Sequence, residues 1–182
     1  MKEEIEARIL EVNKEILEAK LKELGATFVA SFMQKRYVYD FNPIEEGKWI
    51  RLRTNGSITT LTIKEIKNDS INGTEELEIT VDDFDKTNLI LEKLGFKSKA
   101  YQENKRIRYI YNNIEIDIDS WPLIPTYVEI EGENITAIEN LIELLGYKKE
   151  NIITFGVSKI YKHYGLDIDS YKELKFDLEG NN

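Results

Sequence analysis

The stretch KRIRYIYNNIEIDID, residues 105–119, is the part of the sequence that most clearly indicates the fold. Polar and apolar residues alternate along both halves, as in β-strands, because successive side chains of a strand point to opposite faces. Asn112-Asn113 interrupts the alternation and predicts a tight turn, so the halves form an antiparallel hairpin. Isoleucines occupy one face of the second half, whereas the charged positions of the hairpin are Arg106, Arg108, Glu115, Asp117 and Asp119.

The same alternation recurs along the rest of the chain. It predicts eight strands, near residues 3–11, 33–41, 48–54, 57–66, 75–81, 105–111, 114–119 and 126–131. Helical periodicity predicts four helices, near residues 13–24, 83–94, 135–145 and 157–164. Together these segments predict an α+β fold.

The other strands also sort charged residues from apolar ones, because residues two apart share a face. The charged positions, each beside a row of apolar residues on the opposite face, are Glu4, Glu6, Arg8, Arg51, Arg53, Lys64, Glu76, Glu78, Glu129 and Glu131. An antiparallel sheet with one face in water produces this alternation without any function, and that explanation stands for any single strand.

The choice of basic residue argues against a plain solvent face for the whole set. Lysine is about three times as frequent as arginine in the chain, yet five of the six arginines fall on these faces. The planar guanidinium of arginine can donate two hydrogen bonds at once to phosphate oxygens, and paired carboxylates are suitable ligands for Mg²⁺ or Mn²⁺. Separate clusters of both signs are what a metal-bound polyphosphate requires.

An eight-stranded sheet of this kind can close into a barrel. Closure removes the sheet edges and turns the charged face inward. We therefore predict a closed eight-stranded antiparallel β-barrel, a tunnel with the helices packed outside and a charged interior suited to a metal-bound polyphosphate.

Length and composition restrict the remaining choices. A chain of 182 residues fits one domain, and its net charge of −9 argues against general binding of nucleic acid. The sequence has no cysteine for disulfides, its N-terminus lacks the apolar core of a signal peptide, and its apolar runs are short. We expect a cytoplasmic protein with no membrane role, and the sequence leaves a homodimer open.

At this point the motifs resemble the CYTH proteins, or triphosphate tunnel metalloenzymes. The entry motif of that family, Glu-x-Glu-x-Lys, reads Glu4-Ile5-Glu6-Ala7-Arg8, with Arg where the family usually has Lys. The middle and late patterns resemble Arg51-Leu52-Arg53, the run ending at Lys64, Glu76-Leu77-Glu78, Arg106-x-x-Tyr109, Asp119 and Glu129-Ile130-Glu131. The stretches at residues 121–129 and 160–165 look most like the class IV adenylyl cyclase branch. The resemblance implies one domain over 1–182, with a core near 3–164 and a C-terminal tail at 165–182.

The resemblance also implies roles for these residues. Glu4, Glu6 and Glu129, with Glu131, would hold Mg²⁺ or Mn²⁺, and Asp119 would orient a cation or a metal-bound water. Phosphate oxygens would be bound by Arg8, Arg51, Arg53, Lys64, Arg106 and Arg108, with Glu76, Glu78 and Asp117 in secondary positions.

Several functions fit such a tunnel. The branch resemblance favours a class IV adenylyl cyclase, which converts ATP to cyclic AMP and pyrophosphate. The alternatives are a triphosphatase acting on tripolyphosphate, a nucleoside triphosphate or thiamine triphosphate, and a non-catalytic module that binds polyphosphate or a nucleotide. A structural domain with a solvated charged face remains the simplest competing explanation.

Overall fold

In a computed structural model, which describes residues 1–176, a nearly closed β-barrel carries helices on its outside. Its ten strands are β1 (Lys2–Glu4), β2 (Glu6–Ile9), β3 (Thr27–Asp40), β4 (Lys48–Thr54), β5 (Thr59–Ile66), β6 (Thr74–Val81), β7 (Ser98–Tyr111), β8 (Ile114–Ser120), β9 (Tyr127–Glu131) and β10 (Glu173–Leu174). Its four α-helices are α1 (Lys14–Glu23), α2 (Phe84–Lys93), α3 (Ile135–Leu144) and α4 (Val157–His163). Short 3₁₀ turns cover Lys149–Asn151 and Ile168–Ser170.

The first predicted strand closes the barrel in two pieces. The sheet runs β1-β6-β5-β4-β3-β7-β8-β9-β2, so its two ends are the successive strands β1 and β2. The chain bends between them at Ile5, whose carbonyl accepts a hydrogen bond from Gly132 N at 3.1 Å. Counted as one strand, β1 and β2 complete the predicted eight, and the tunnel fold is confirmed.

Two features extend the prediction. β3 and β7 are 14 residues each and pair along most of their length, whereas their alternating patterns covered only one half of each strand. In the predicted tail, β10 pairs with β7 in parallel, and Ile168 and Leu174 are buried. Residues 177–182 of that tail lie outside the described residues.

Three helices begin and end with the same local chemistry. The side chains of Asn13, Asp83 and Asn134 cap the N-termini of α1, α2 and α3 by accepting a backbone N–H three residues on. Each of these helices is followed by a glycine at positive φ, which provides the left-handed residue that ends a helix. The helices therefore stop where the next strand must start.

Apolar outer faces of the strands pack against the helices. α1 and α3 cover β2, β8 and β9, and the residues buried there include Leu17, Ile116, Val128 and Ile138. α2 covers β3 and β4 through Leu91. Charged faces are thus left to the inside. Among residues 1–176, no helix has the length and apolar character needed to cross a membrane.

Candidate active site

A cavity of about 1020 Å³ occupies the barrel interior. Twelve of the fourteen residues predicted as site residues line it, and they come from every strand of the barrel wall except β3 and β8. Asp117 and Asp119 are the other two, and both are buried on β8 behind the lining. The side-chain alternation of the strands brings together charges that are more than a hundred residues apart.

Carboxylates concentrate on the wall formed by β1, β2 and β9. Glu6 lies directly opposite Glu131, and Arg8 directly opposite Glu129, in the pairing of β2 with β9. Arg8 Nη2 contacts Glu6 Oε2 at 2.8 Å and Glu129 Oε2 at 2.7 Å. The pairing therefore holds Arg8 between two acidic side chains in the interior.

The protonation of this wall follows from burial and crowding. Burial, together with Glu129, Glu4 and Glu6, raises the pKa of Glu131 to about 7. Burial likewise raises the pKa of Glu4. Burial alone would raise the pKa of Glu129 too, but Arg8 and Arg106 lower it well below the usual range. The carboxylate of Glu131 is thus surrounded by other negative charges, whereas Arg8 and Arg106 compensate the charge of Glu129.

The donor set of this wall suits a hard divalent cation. Mg²⁺ and Mn²⁺ prefer carboxylate oxygens, and Glu4, Glu6, Glu129 and Glu131 supply them from neighbouring strands. Within residues 1–176, no three such side chains already converge as a metal site. The reason is visible in the contacts: Lys64 Nζ lies 2.7 Å from Glu4 Oε2, and Arg8 binds Glu6 and Glu129. The residues fit a metal once these cations give way.

A second network surrounds Arg106 on β7. Its Nε donates to Asp119 Oδ1 at 2.8 Å, its Nη1 to Asp117 Oδ2 at 2.6 Å and its Nη2 to Glu129 Oε1 at 3.1 Å. These carboxylates raise the pKa of Arg106 well above its usual value in spite of burial. Asp117 also accepts from Arg108 Nε at 2.8 Å. Asp119 thus holds the guanidinium of Arg106 in place, and its role toward a ligand stays a prediction.

The arginines of β4 have weaker acidic partners. Arg51 Nη2 lies 3.5 Å from Glu78 Oε2 and 3.9 Å from Glu76 Oε2, and Arg53 Nη2 lies 3.9 Å from Glu78 Oε2. Thr62 donates to the same Glu78 oxygen at 2.6 Å. Arg51 and burial lower the pKa of Arg53 well below its usual value. Positive charge is therefore in excess on this side of the tunnel.

The sequence analysis missed Arg36, the sixth arginine, which also lines the cavity from β3. It shares a face with the buried Gln34, so the period of two within the predicted strand 33–41 was the available signal. It also missed Trp49, which shares a face with Arg51 and Arg53 and lines the cavity beside Lys64. The alternation of Trp49 with Arg51 and Arg53 along one strand was the available signal for this residue.

One mouth of the tunnel is crossed by contacts between two loops. Thr154 Oγ1 donates to the carbonyl of Asp69 at 2.6 Å, and Lys159 Nζ forms an ion pair with the Asp69 carboxylate. Lys159 and Lys162, both on α4, also line the cavity. Basic side chains thus stand at an entrance to a tunnel that belongs to an acidic protein.

Comparison with known proteins agrees with this architecture. The family model described as the CYTH domain matches residues 2–164. A protein of Methanocaldococcus jannaschii named "putative adenylate cyclase" is 30% identical over 167 residues, which cover 82% of this chain and 92% of that protein.

Solved structures match over similar lengths. A protein of Pyrococcus horikoshii OT3 is 25% identical with a TM-score of 0.74, covering 84% of this chain and 96% of that one. A structure from Vibrio parahaemolyticus, also named as a putative adenylate cyclase, has a TM-score of 0.75 at 13% identity, covers 88% and 98%, and shows the shared fold alone. With the family match spanning most of its length, this chain belongs to the CYTH domain family.

Proposed function

We propose that this protein is a divalent-metal-dependent enzyme that acts on a triphosphate inside the barrel. The observation that carries the proposal is the division of interior charge: carboxylates crowd β1, β2 and β9, whereas the acidic partners of Arg51 and Arg53 on β4 lie 3.5 Å or more away. A metal-bound triphosphate presents the complementary charges, a cation toward the first wall and anionic oxygens toward the second.

The residues of the chain would divide the work by charge and position. Arg51, Arg53 and Lys64 bind phosphate oxygens, and Arg106 is held in place by Asp117 and Asp119 so that its charge stays fixed. Fixed donors around a reacting phosphate stabilise the charge that develops in the transition state without reorganising. Glu4, Glu6, Glu129 and Glu131 would hold Mg²⁺ or Mn²⁺, which supplies Lewis-acid polarisation of the phosphate oxygens.

Cyclisation of ATP to cyclic AMP and pyrophosphate is the reaction we propose first. It requires a surface for the base and sugar beside the phosphate-binding residues. Trp49 lines the cavity on the same strand face as Arg51 and offers an apolar ring there. The relative with 30% identity, whose name is "putative adenylate cyclase", supports the same reaction.

Hydrolysis of a triphosphate is the second candidate. It needs only a bound triphosphate and a water molecule, and the cavity is lined mainly by charged side chains drawn from all around the barrel. In this reaction water attacks the terminal phosphorus, which is released as orthophosphate, and the arginines stabilise the negative charge on the diphosphate that leaves.

Product analysis distinguishes the candidates. The purified protein would be incubated with ATP, and separately with tripolyphosphate, in Mg²⁺ and in Mn²⁺. Cyclic AMP with pyrophosphate supports cyclisation, and orthophosphate supports hydrolysis. Tight binding of triphosphate with no product would defeat the enzyme proposal and leave a binding module.

A double variant tests the metal-holding wall. Glu4→Gln with Glu6→Gln should abolish metal-dependent product formation, because the buried carboxylates are lost while side-chain volume is kept. Glu3→Gln is the matched control, since Glu3 is exposed on the same segment. Equal activity in both variants would refute the assignment of the wall.

A further inference from the structure

Arg36 is a buried arginine of the tunnel to which no role has yet been assigned. It lies on β3, directly opposite Arg53 on β4 and Gln102 on β7. Directly opposed positions of an antiparallel pair bring side chains close together, and like charges there are unfavourable. The fold thus places two guanidinium groups where their like charges repel each other.

The contacts of Arg36 are with neutral groups. Its Nη2 donates to the side-chain oxygens of Asn104 and Gln34, and its guanidinium lies 4.5 Å from the centroid of the Trp121 ring. Its Nε is buried without a hydrogen-bond acceptor. Within residues 1–176 Arg36 forms no ion pair. The carboxylates of Glu78, Asp117, Asp119 and Glu129 pair with other arginines.

This arrangement leaves positive charge to be neutralised by something else. A buried cation without a counter-ion is costly, and removing the cost requires an anion in the cavity. Burial, with Arg51 and Arg106 nearby, lowers the pKa of Arg36 to about 9, which still leaves the group charged near neutral pH.

The position of β3 indicates which part of a substrate it meets. With β1 and β2 counted as one strand, β3 is four strands away from them in either direction around the barrel. Arg36 therefore stands on the wall opposite β1 and β2. Two opposed cations need two negative charges between them, and a terminal phosphate carries two near neutral pH whereas an internal one carries a single charge.

We propose that Arg36 and Arg53 form a subsite for the terminal, doubly charged phosphate of a triphosphate, which makes Arg36 a determinant of specificity. This inference rests on the proposed function, because it assumes that a triphosphate enters the tunnel. Arg36 then selects linear triphosphates over ligands that lack a free phosphate end.

Calorimetry with two inorganic ligands tests the subsite. Tripolyphosphate has terminal phosphates, whereas trimetaphosphate is a ring of the same number of phosphorus atoms with none. Arg36→Gln should lower the affinity for tripolyphosphate by about 10- to 100-fold, as expected for hydrogen bonds to a charged group, and change that for trimetaphosphate little. Lys35→Gln is the matched control, because Lys35 is the exposed neighbour on the same strand.

The decisive quantity is the ratio of the two affinities, since damage to the barrel as a whole would weaken both ligands together. The ratio is the affinity for tripolyphosphate divided by that for trimetaphosphate. A lower ratio in Arg36→Gln than in wild type and Lys35→Gln supports the subsite, and an unchanged ratio overturns it. If wild-type protein binds tripolyphosphate while the ratio is unchanged, only this inference fails. If wild-type protein binds no tripolyphosphate, the proposed function fails with it.

Discussion

Replacing Glu131 by glutamine should change how the stability of the metal-free protein depends on pH. Glu131 faces Glu6 across the β2–β9 pair, and burial with the neighbouring carboxylates raises its pKa from 4.5 to about 7. The folded protein therefore holds this proton more tightly than the unfolded chain does. Glutamine keeps the shape of the side chain and removes the titration.

The sign and size follow from linkage. Between pH 4.5 and about 7, unfolding releases a proton from Glu131, so the free energy of unfolding falls as pH rises through this window. Each pKa unit corresponds to about 1.4 kcal/mol, and partial solvent screening reduces the total to about 2–3 kcal/mol. Below the window both states are protonated and above it both are ionised, so Glu131 adds no slope there.

Urea unfolding in the presence of EDTA, from about pH 4.5 to about pH 8, measures this difference. As pH rises across this range, the free energy of unfolding should fall by about 2–3 kcal/mol more in wild-type protein than in Glu131→Gln. Glu133→Gln serves as the control, because Glu133 is exposed just beyond the strand, and it should follow wild type. Equal pH slopes in Glu131→Gln and wild type would refute the crowded carboxylate wall.

Three further outcomes follow from the same structure. Asp119→Ala should lower the free energy of unfolding in urea by about 3–5 kcal/mol, because the buried Arg106 loses a carboxylate partner. A decrease below about 1 kcal/mol would contradict the importance of that contact. Asn113 has a φ of 62°, so Asn113→Val should lower stability by about 1–2 kcal/mol, while Asn113→Gly should be tolerated in the same assay. In the presence of tripolyphosphate, Mg²⁺ should raise the melting temperature of wild-type protein but not of Glu4→Gln with Glu6→Gln, and an equal rise in both would exclude these ligands.

Some interior contacts were predictable from local sequence. The turn at Asn112-Asn113 fixes the register of β7 with β8, and this register places Arg106 opposite Asp119 and Arg108 opposite Asp117. Strand periodicity likewise predicted which face each charge takes, because side-chain direction depends only on position along the strand. Sorting into an inner and an outer face therefore needs no knowledge of the partner strand.

The remaining contacts depend on long-range closure. Arg8 binds Glu129 across 121 residues, and no short turn sets the register of β2 with β9. Arg36 meets Arg53 through a connection that spans residues 41–47, which is too long for turn chemistry to fix the pairing. Sequence patterns can therefore predict an interior of mixed charge, but the choice of partner inside it depends on how the barrel closes. A homodimer and a cytoplasmic location stay predictions.

The interior ion pairs have a consequence for how ligands would enter. Inside the tunnel Lys64 neutralises Glu4, and Arg8 neutralises Glu6 and Glu129. The cations that would bind phosphate are thus paired with the carboxylates that would bind metal. A metal alone would displace these cations and leave them unpaired in a buried site. A triphosphate alone would leave the carboxylates unpaired in the same way. When both bind, the carboxylates pair with the metal and the basic side chains pair with the phosphates, so no charge is left unpaired. The two ligands therefore favour each other's binding by the same factor.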